Sequence, residues 1–335
     1  MELKETLQNL DKAPWTVVPR NASSSDVPVL DLADVRTEAG IARLGKELRG
    51  ACLNMGFAYL ANHGVQQKLV DGMFDVMREF FAQSEEEKMK VKRNRFNRGF
   101  VPIGVNKHPG FSPDVKEFFE FCRDLPLDNP DVVAGLPMYA PNQWPQNMPE
   151  LQLTCDAYLK QAMQLGYNLL PVFAAALDLP RDFFAKYFDN PMAQVKLFYY
   201  PPQPPQSPKD AYGVAPHTDY GAFTMLAQDP IGGLEVKTRE GEWLAAPYIP
   251  GTLILNLGDL FRAWTNDEFV SNPHRVVNRT GKRRFSVPLF FNPNYSAQIS
   301  CIPTCQSADN PPKYKPVSAG EYFVMRTNAV QGKTY

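Results

Sequence analysis

The sequence predicts a mixed α and β fold, with helices flanking a β core of the sandwich or jelly-roll kind. Three observations carry this expectation. Apolar residues recur at helical spacing in several stretches before residue 193, most extensively from Leu151 to Leu177. Beyond Ala193 the pattern becomes extended, in short runs broken by Gly and Pro. The 31 prolines among 335 residues fall mostly between short apolar runs, which suits a loop-rich β architecture.

Taken in order, residues 1–26 read as a short amphipathic helix with Leu3, Leu7 and Leu10 on one side, then a polar linker from Pro19 to Asp26. This start has neither an apolar signal core nor the basic character of a transit peptide. Residues 27–192 form a mixed α/β and helical region, and residues 193–335 a β-roll region packed with it as one unit. Val27 to Leu32 is a strand. Ile41, Leu44, Leu48, Ala51 and Cys52 then mark a helix that Gly56 can end in the left-handed conformation. Phe57 to Ala61 is a second strand, and His63 in its exit turn is expected to bond backbone. A helix from Gln66 to Ala82 follows, then another opened by a capping box at Ser84 and Glu87.

The basic run from Lys88 to Arg95 directly follows Glu85, Glu86 and Glu87, so it reads as a solvated helix face. From Asn97 to Pro149 the chain is irregular, with K-E-F-F-E-F-C-R at 116–123 as its best-formed segment. Such stretches in compact enzymes often wall or cover a pocket. Phe100, Phe111, Phe118 and Arg123 are the expected pocket residues, the aromatic ones suited to a mostly carbon substrate. In the long helical pattern Pro171 should kink or split the helix at Leu170. A short helix with Phe183, Phe184 and Tyr187 follows, and strands are expected at 195–200, 223–228, 234–237, 252–257 and 285–291.

Composition narrows the partners. A net charge of -1 leaves no electrostatic footprint for nucleic acid or an anionic membrane. With 44% apolar residues the chain can bury a large core. Five cysteines without a C-x-x-C pair read as reduced thiols in a cytoplasmic protein. The sequence does not set an oligomeric state.

Chemistry concentrates after residue 214. In A-P-H-T-D-Y-G, His217 and Asp219 leave one face of an extended backbone and can meet one ion. A second histidine, His274, stands in S-N-P-H-R-V. Two histidines and one carboxylate are the facial-triad set for iron(II), with open positions for oxygen and substrate; the same set also suits zinc. Arg284 and Ser286 sit two apart on an alternating strand, where a guanidinium fork and a hydroxyl can seize a carboxylate.

H-T-D at 217–219, H-R-V at 274–276 and R-F-S at 284–286 resemble the motifs of the iron(II)- and 2-oxoglutarate-dependent oxygenases, in the isopenicillin N synthase-like branch. Y-Y-P-P at 199–202, G-G-L-E-V at 232–236, N-L-G-D-L at 256–260 and G-F-A-Y-L-A-N-H-G at 56–64 extend the resemblance over most of the chain. It implies a double-stranded β-helix, iron(II) on His217, Asp219 and His274, and 2-oxoglutarate reaching Arg284 and Ser286. O2 is then the oxidant, and no side chain beyond the metal ligands need be catalytic. The implied reaction oxidises an unactivated C–H bond of a small molecule of specialised metabolism by hydroxylation, desaturation or ring formation, releasing succinate and CO2. One departure stands out: Phe198 occupies the place of the Asn that many relatives carry in N-Y-Y-P-P, leaving Tyr200 as the hydrogen-bonding group there. Two alternatives stay open: an oxidase of the isopenicillin N synthase type, which works without 2-oxoglutarate, and a non-catalytic roll that binds a metal or a carboxylate.

Overall fold

In the computed structural model, which describes residues 18–331 apart from 109, 204–206 and 209, two sheets face each other across an interior cavity. The expected helix at Leu3, Leu7 and Leu10 lies outside the described residues. The chain begins with β1 (Arg20–Asn21), β2 (Val29–Asp31), α1 (Glu38–Asn54), β3 (Phe57–Ala61), α2 (Gln67–Ala82) and α3 (Glu85–Met89). It continues through β4 (Gly99–Val101), β5 (Glu117–Cys122), α4 (Pro130–Val133), α5 (Pro149–Ala176) and a 3-10 turn at Ala185–Tyr187. The roll comprises β6 (Pro191–Tyr200), β7 (Val214–His217), β8 (Phe223–Gln228), β9 (Leu234–Lys237), β10 (Trp243–Ala246), β11 (Leu253–Leu257), α6 (Asp259–Trp264), β12 (His274–Val276) and β13 (Arg284–Asn294). A small hairpin of β14 (Gln298–Ile299) and β15 (Val317–Ser318) leads to α7 (Ala319–Gln331).

The larger sheet has the order β2-β3-β11-β8-β13-β6-β5-β4, and the smaller one β1-β10-β9-β12-β7. Strands from before residue 193 therefore extend the same sheet as strands of the roll. Successive side chains on a strand leave opposite faces, and the larger sheet uses both. Phe285, Val287, Leu289 and Phe291 of β13 enter the main core with α1, α2 and α5, whereas Arg284, Ser286, Pro288, Phe290 and Asn292 line the cavity. On the core side Phe173 of α5 meets Phe223 of β8 with ring centroids 5.0 Å apart.

Caps fit the local chemistry. Thr37 accepts a hydrogen bond from Gly40 N at the start of α1, and Gly56 takes a φ of 65° just past its end. Ser84 accepts from Glu87 N to open α3. His63 bonds backbone as expected, its Nδ1 accepting from Val65 N at 3.2 Å. Among the described residues no helix is long and apolar enough to cross a membrane.

Three expectations change. The stretch read as a linker contains β1, paired in parallel with β10, because the edge of the smaller sheet offers free backbone groups to Arg20 and Asn21. Helix α5 runs as one element through Pro171, so of the expected kink or split at Leu170 the split does not occur; Tyr167 before the proline packs on Phe291, and Phe173 after it on Phe223 and Phe261. The basic run is not a solvated helix face. Helix α3 stops at Met89, and Lys88 turns inward to Glu117 at 2.7 Å, with side chains only 8% and 9% exposed.

A buried pair broken on one side leaves an uncompensated charge, which costs roughly 3–5 kcal/mol. Lys88→Met should therefore lower unfolding free energy by about that amount, and Lys88→Met with Glu117→Leu should recover most of it. Urea titrations of the two variants provide the measurement.

Candidate active site

Strand pairing brings the histidines together. β12 lies antiparallel to β7 with His274 opposite His217, and a register shift follows between His274 and Val276. The irregularity lets both Val214 and His217 line the cavity despite their odd spacing. Asp219 sits in the turn beyond β7. Its Oδ1 lies 3.8 Å from Nε2 of each histidine, and the three ligand atoms all fall within 4.8 Å of one another.

Neighbouring groups orient each donor. His217 Nδ1 donates to Ala215 O at 2.9 Å and His274 Nδ1 to Asn272 O at 3.3 Å, so both Nε2 lone pairs point inward. Asp219 Oδ2 accepts from Thr224 Oγ1 at 2.6 Å and Asn256 Nδ2 at 2.7 Å, leaving Oδ1 for the centre. Burial, and then electrostatic interaction with His274, His108 and Lys116, hold His217 well below the usual histidine range. A neutral imidazole is the form that ligates a metal, and the set of two nitrogens and one oxygen fits iron(II).

A second polar centre lies along the larger sheet. Arg284, fully buried, donates from Nε to Gly232 O and from Nη1 to Ser286 Oγ at 3.2 Å. Its guanidinium lies 4.6 Å from the Tyr200 ring, and Ser286 Oγ donates to Tyr200 Oη at 3.4 Å. Nη2 is buried without a hydrogen-bond partner among the described residues. An unsatisfied buried donor on a cavity wall fits an incoming carboxylate.

The structure brings His217, Asp219, His274, Tyr200, Arg284 and Ser286 to one cavity. It does not bring Phe100, Phe111, Phe118 or Arg123 there. Phe100 is in the main core, its ring centroid 6.1 Å from Phe80. Phe111 packs on Tyr212, and Phe118 is buried against Phe198. Arg123 points to the far end of β6, donating to Pro191 O and Asn190 Oδ1. The region does wall the cavity, but through its polar members Asn97, Asn106, His108, Lys116 and Glu120. Phe323 and Thr327 of α7 complete the wall, and no motif or spacing in the sequence marks them. His108, one of only four histidines in the chain, sits with its ring 5.1 Å from that of His217.

Comparison with known proteins agrees with this geometry. Residues 27–147 match the model described as non-haem dioxygenase in morphine synthesis N-terminal, and residues 191–293 match the 2OG-Fe(II) oxygenase superfamily. The chain is 33% identical over 301 residues to the 2-oxoglutarate-Fe(II) type oxidoreductase hxnY of Emericella nidulans, covering 87% of this chain and 86% of that one. It is 33% identical over 330 residues to kihadalactone A synthase of Citrus sinensis, covering 93% and 96%. A full-length Neurospora crassa protein, solved in complex with alpha-KG, superposes with a TM-score of 0.82 at 27% identity, covering 93% of this chain and 99% of that one. The same Neurospora crassa protein has been solved with alpha-KG and thymine.

The chain belongs to the 2OG-Fe(II) oxygenase superfamily, with its double-stranded β-helix core. It is an Fe(II)- and 2-oxoglutarate-dependent dioxygenase, an oxidoreductase that uses O2.

Asn256 contributes to the cluster only by holding Asp219. Groups that orient metal ligands in this way are worth roughly 10–100-fold in metal affinity. Asn256→Ala should weaken Fe(II) binding by about that factor, as read by titration under nitrogen.

Proposed function

We propose that His217, Asp219 and His274 hold the iron(II), and that Arg284 and Ser286, with Tyr200 beside them, receive the distal carboxylate of 2-oxoglutarate. The observation that carries this is the pairing of two donor sets in one cavity. Three ligand atoms converge within 4.8 Å of one another, and one buried guanidinium nitrogen lacks an acceptor among the described residues.

Iron(II), when bound with 2-oxoglutarate and O2, supplies the oxidising power that removes hydrogen from carbon, with succinate and CO2 released. The chain's own residues position and exclude. Arg284 and Ser286 fix the direction of the co-substrate through its far carboxylate, and the Tyr200 ring covers the guanidinium. Thr224 and Asn256 keep Asp219 aimed at the centre. Phe198, Leu226, Phe290 and Phe323 keep water from the reacting carbon. The reading extends to a small-molecule substrate oxidised at an unactivated C–H bond, by hydroxylation, desaturation or ring formation, in specialised metabolism. The Neurospora crassa protein solved with thymine, and kihadalactone A synthase by its name, are relatives that support it. The free cysteines, four of them buried, support a reducing compartment, the cytoplasm.

Succinate formation from 2-oxoglutarate tests the assignment. His217→Ala, Asp219→Ala and His274→Ala should each abolish it together with stoichiometric Fe(II) binding. Arg284→Leu removes a hydrogen bond to a charged group worth roughly 1.5–3 kcal/mol. The KM for 2-oxoglutarate should rise about 10–100-fold while Fe(II) affinity changes little. Wild-type turnover of a substrate under air without 2-oxoglutarate would instead establish the oxidase reading, and co-substrate binding without succinate the non-catalytic one.

A further inference from the structure

The cavity wall built by β5, β6 and the segments before them carries more positive than negative charge. Among the described residues Arg93, Lys116 and Lys196 line it against Glu120 alone. Asp114 stands 2.9 Å from Lys116 Nζ, so three cations face two carboxylates and one positive charge is left over. The co-substrate does not account for it. Its far carboxylate is directed to Arg284 and Ser286, away from this wall. Lys196 is also remote from that anchor: it lies four residues from Tyr200 on the same face of β6, about 13 Å along the strand.

Lys196 is the most loosely held of the three. Its Nζ is 3.7 Å from Glu120 Oε2, beyond hydrogen-bond reach, and its side chain keeps 23% exposure. Glu120 is already shared, with Arg93 Nη1 at 3.5 Å and Gln194 Nε2 at 3.3 Å. The ammonium lies over the rings of Phe118 and Phe290, at 5.4 Å and 5.3 Å. Burial pulls Lys196 below the usual lysine range while Glu120 opposes the fall, so a second carboxylate nearby would keep it charged. Further along the wall Asn292 Nδ2 is buried without a partner among the described residues, its Oδ1 being taken by Ala222 N. That amide asks for one more acceptor.

We propose that the primary substrate carries a carboxylate, received by Lys196, and that Lys196 is the residue that sets this specificity. The inference rests on reading the cavity as the oxygenase site and names the chemical class admitted to it. It narrows the expectation of a mostly carbon substrate: apolar surface from Phe198, Leu226 and Phe290 holds the body of the substrate, and the ammonium holds its charged end.

Benzoate and benzamide, alike in shape and different in charge, are the probes. Each is titrated calorimetrically, without oxygen, into protein loaded with Fe(II) and saturating 2-oxoglutarate. Wild-type protein should bind benzoate at least about tenfold more tightly than benzamide, the scale expected for a hydrogen bond to a charged group. Lys196→Met should erase that preference by weakening benzoate alone, and Lys196→Arg should keep most of it. Equal affinity for the two probes, no binding of benzoate, or an unchanged preference in Lys196→Met would each overturn the proposal. If Lys196→Met does not fold, the wild-type pair and Lys196→Arg still decide. Failure of the underlying reading is a separate result: wild-type protein that makes no succinate from 2-oxoglutarate with Fe(II) and air.

Discussion

The alternation of β13 is the constraint on which the rest of the structure depends. Its odd-numbered residues from 285 to 291 complete the core against the helices, and its even-numbered ones from 284 to 292 line the cavity. A slip of one residue would put Phe285, Val287, Leu289 and Phe291 into the cavity and bury Arg284 among hydrocarbon. The burial of four large side chains thus sets the aim of the guanidinium. β13 pairs with β6 over most of its length and with β8 on its other side, so the same register also fixes Tyr200 opposite Arg284 and Gln228 opposite Ser286.

A cavity built this way is costly to keep. Among the described residues Arg284 retains an unsatisfied nitrogen and Asn292 an unsatisfied amide, and burial holds His217 well below the usual histidine range. Each unmade hydrogen bond to a buried group costs roughly 1–3 kcal/mol. The core beneath must supply that margin, and it does so with aromatic density: Phe188 stacks on Phe291 at 5.3 Å, and Phe173 touches both Phe223 and Phe261. Ligands that complete these groups add stability to the folded state alone, which ties the occupancy of the site to the persistence of the fold.

Sequence spacing makes some of this legible. His217 with Asp219, and Arg284 with Ser286, are pairs two apart on extended chain, and the period-2 rule alone gives each pair a common face. The pocket wall is not legible for the same reason turned around. In K-E-F-F-E-F-C-R the aromatics fall at 118, 119 and 121, on both faces, because every residue of β5 is buried. Nothing in that pattern says that Phe119 and Phe121 meet the core while Glu120 meets the cavity. Only pairing with β6, which sets Glu120 opposite Lys196, resolves it. Charge in a segment flanked by turns reads as solvated, whereas Lys88 and Glu120 are both buried and ion-paired.

The part of the site farthest from any sequence signal is its closure by α7. Arg326 Nη1 pairs with Asp259 Oδ2 at 2.8 Å, and the same oxygen accepts from Thr218 Oγ1 at 2.9 Å. The guanidinium also lies 4.6 Å from the ring of Tyr220. Thr218 and Tyr220 flank Asp219, so the helix that supplies Phe323 and Thr327 to the wall is fastened to the loop that carries the carboxylate of the proposed iron(II) site. Asp259 is 1% exposed at the side chain and Arg326 7%, which places this link in a medium where charge pairing is strong and its loss expensive. Order in the Asp219 loop and docking of the C-terminal helix therefore depend on one carboxylate. A motif of three residues becomes a site only when a segment more than a hundred residues later has packed against it.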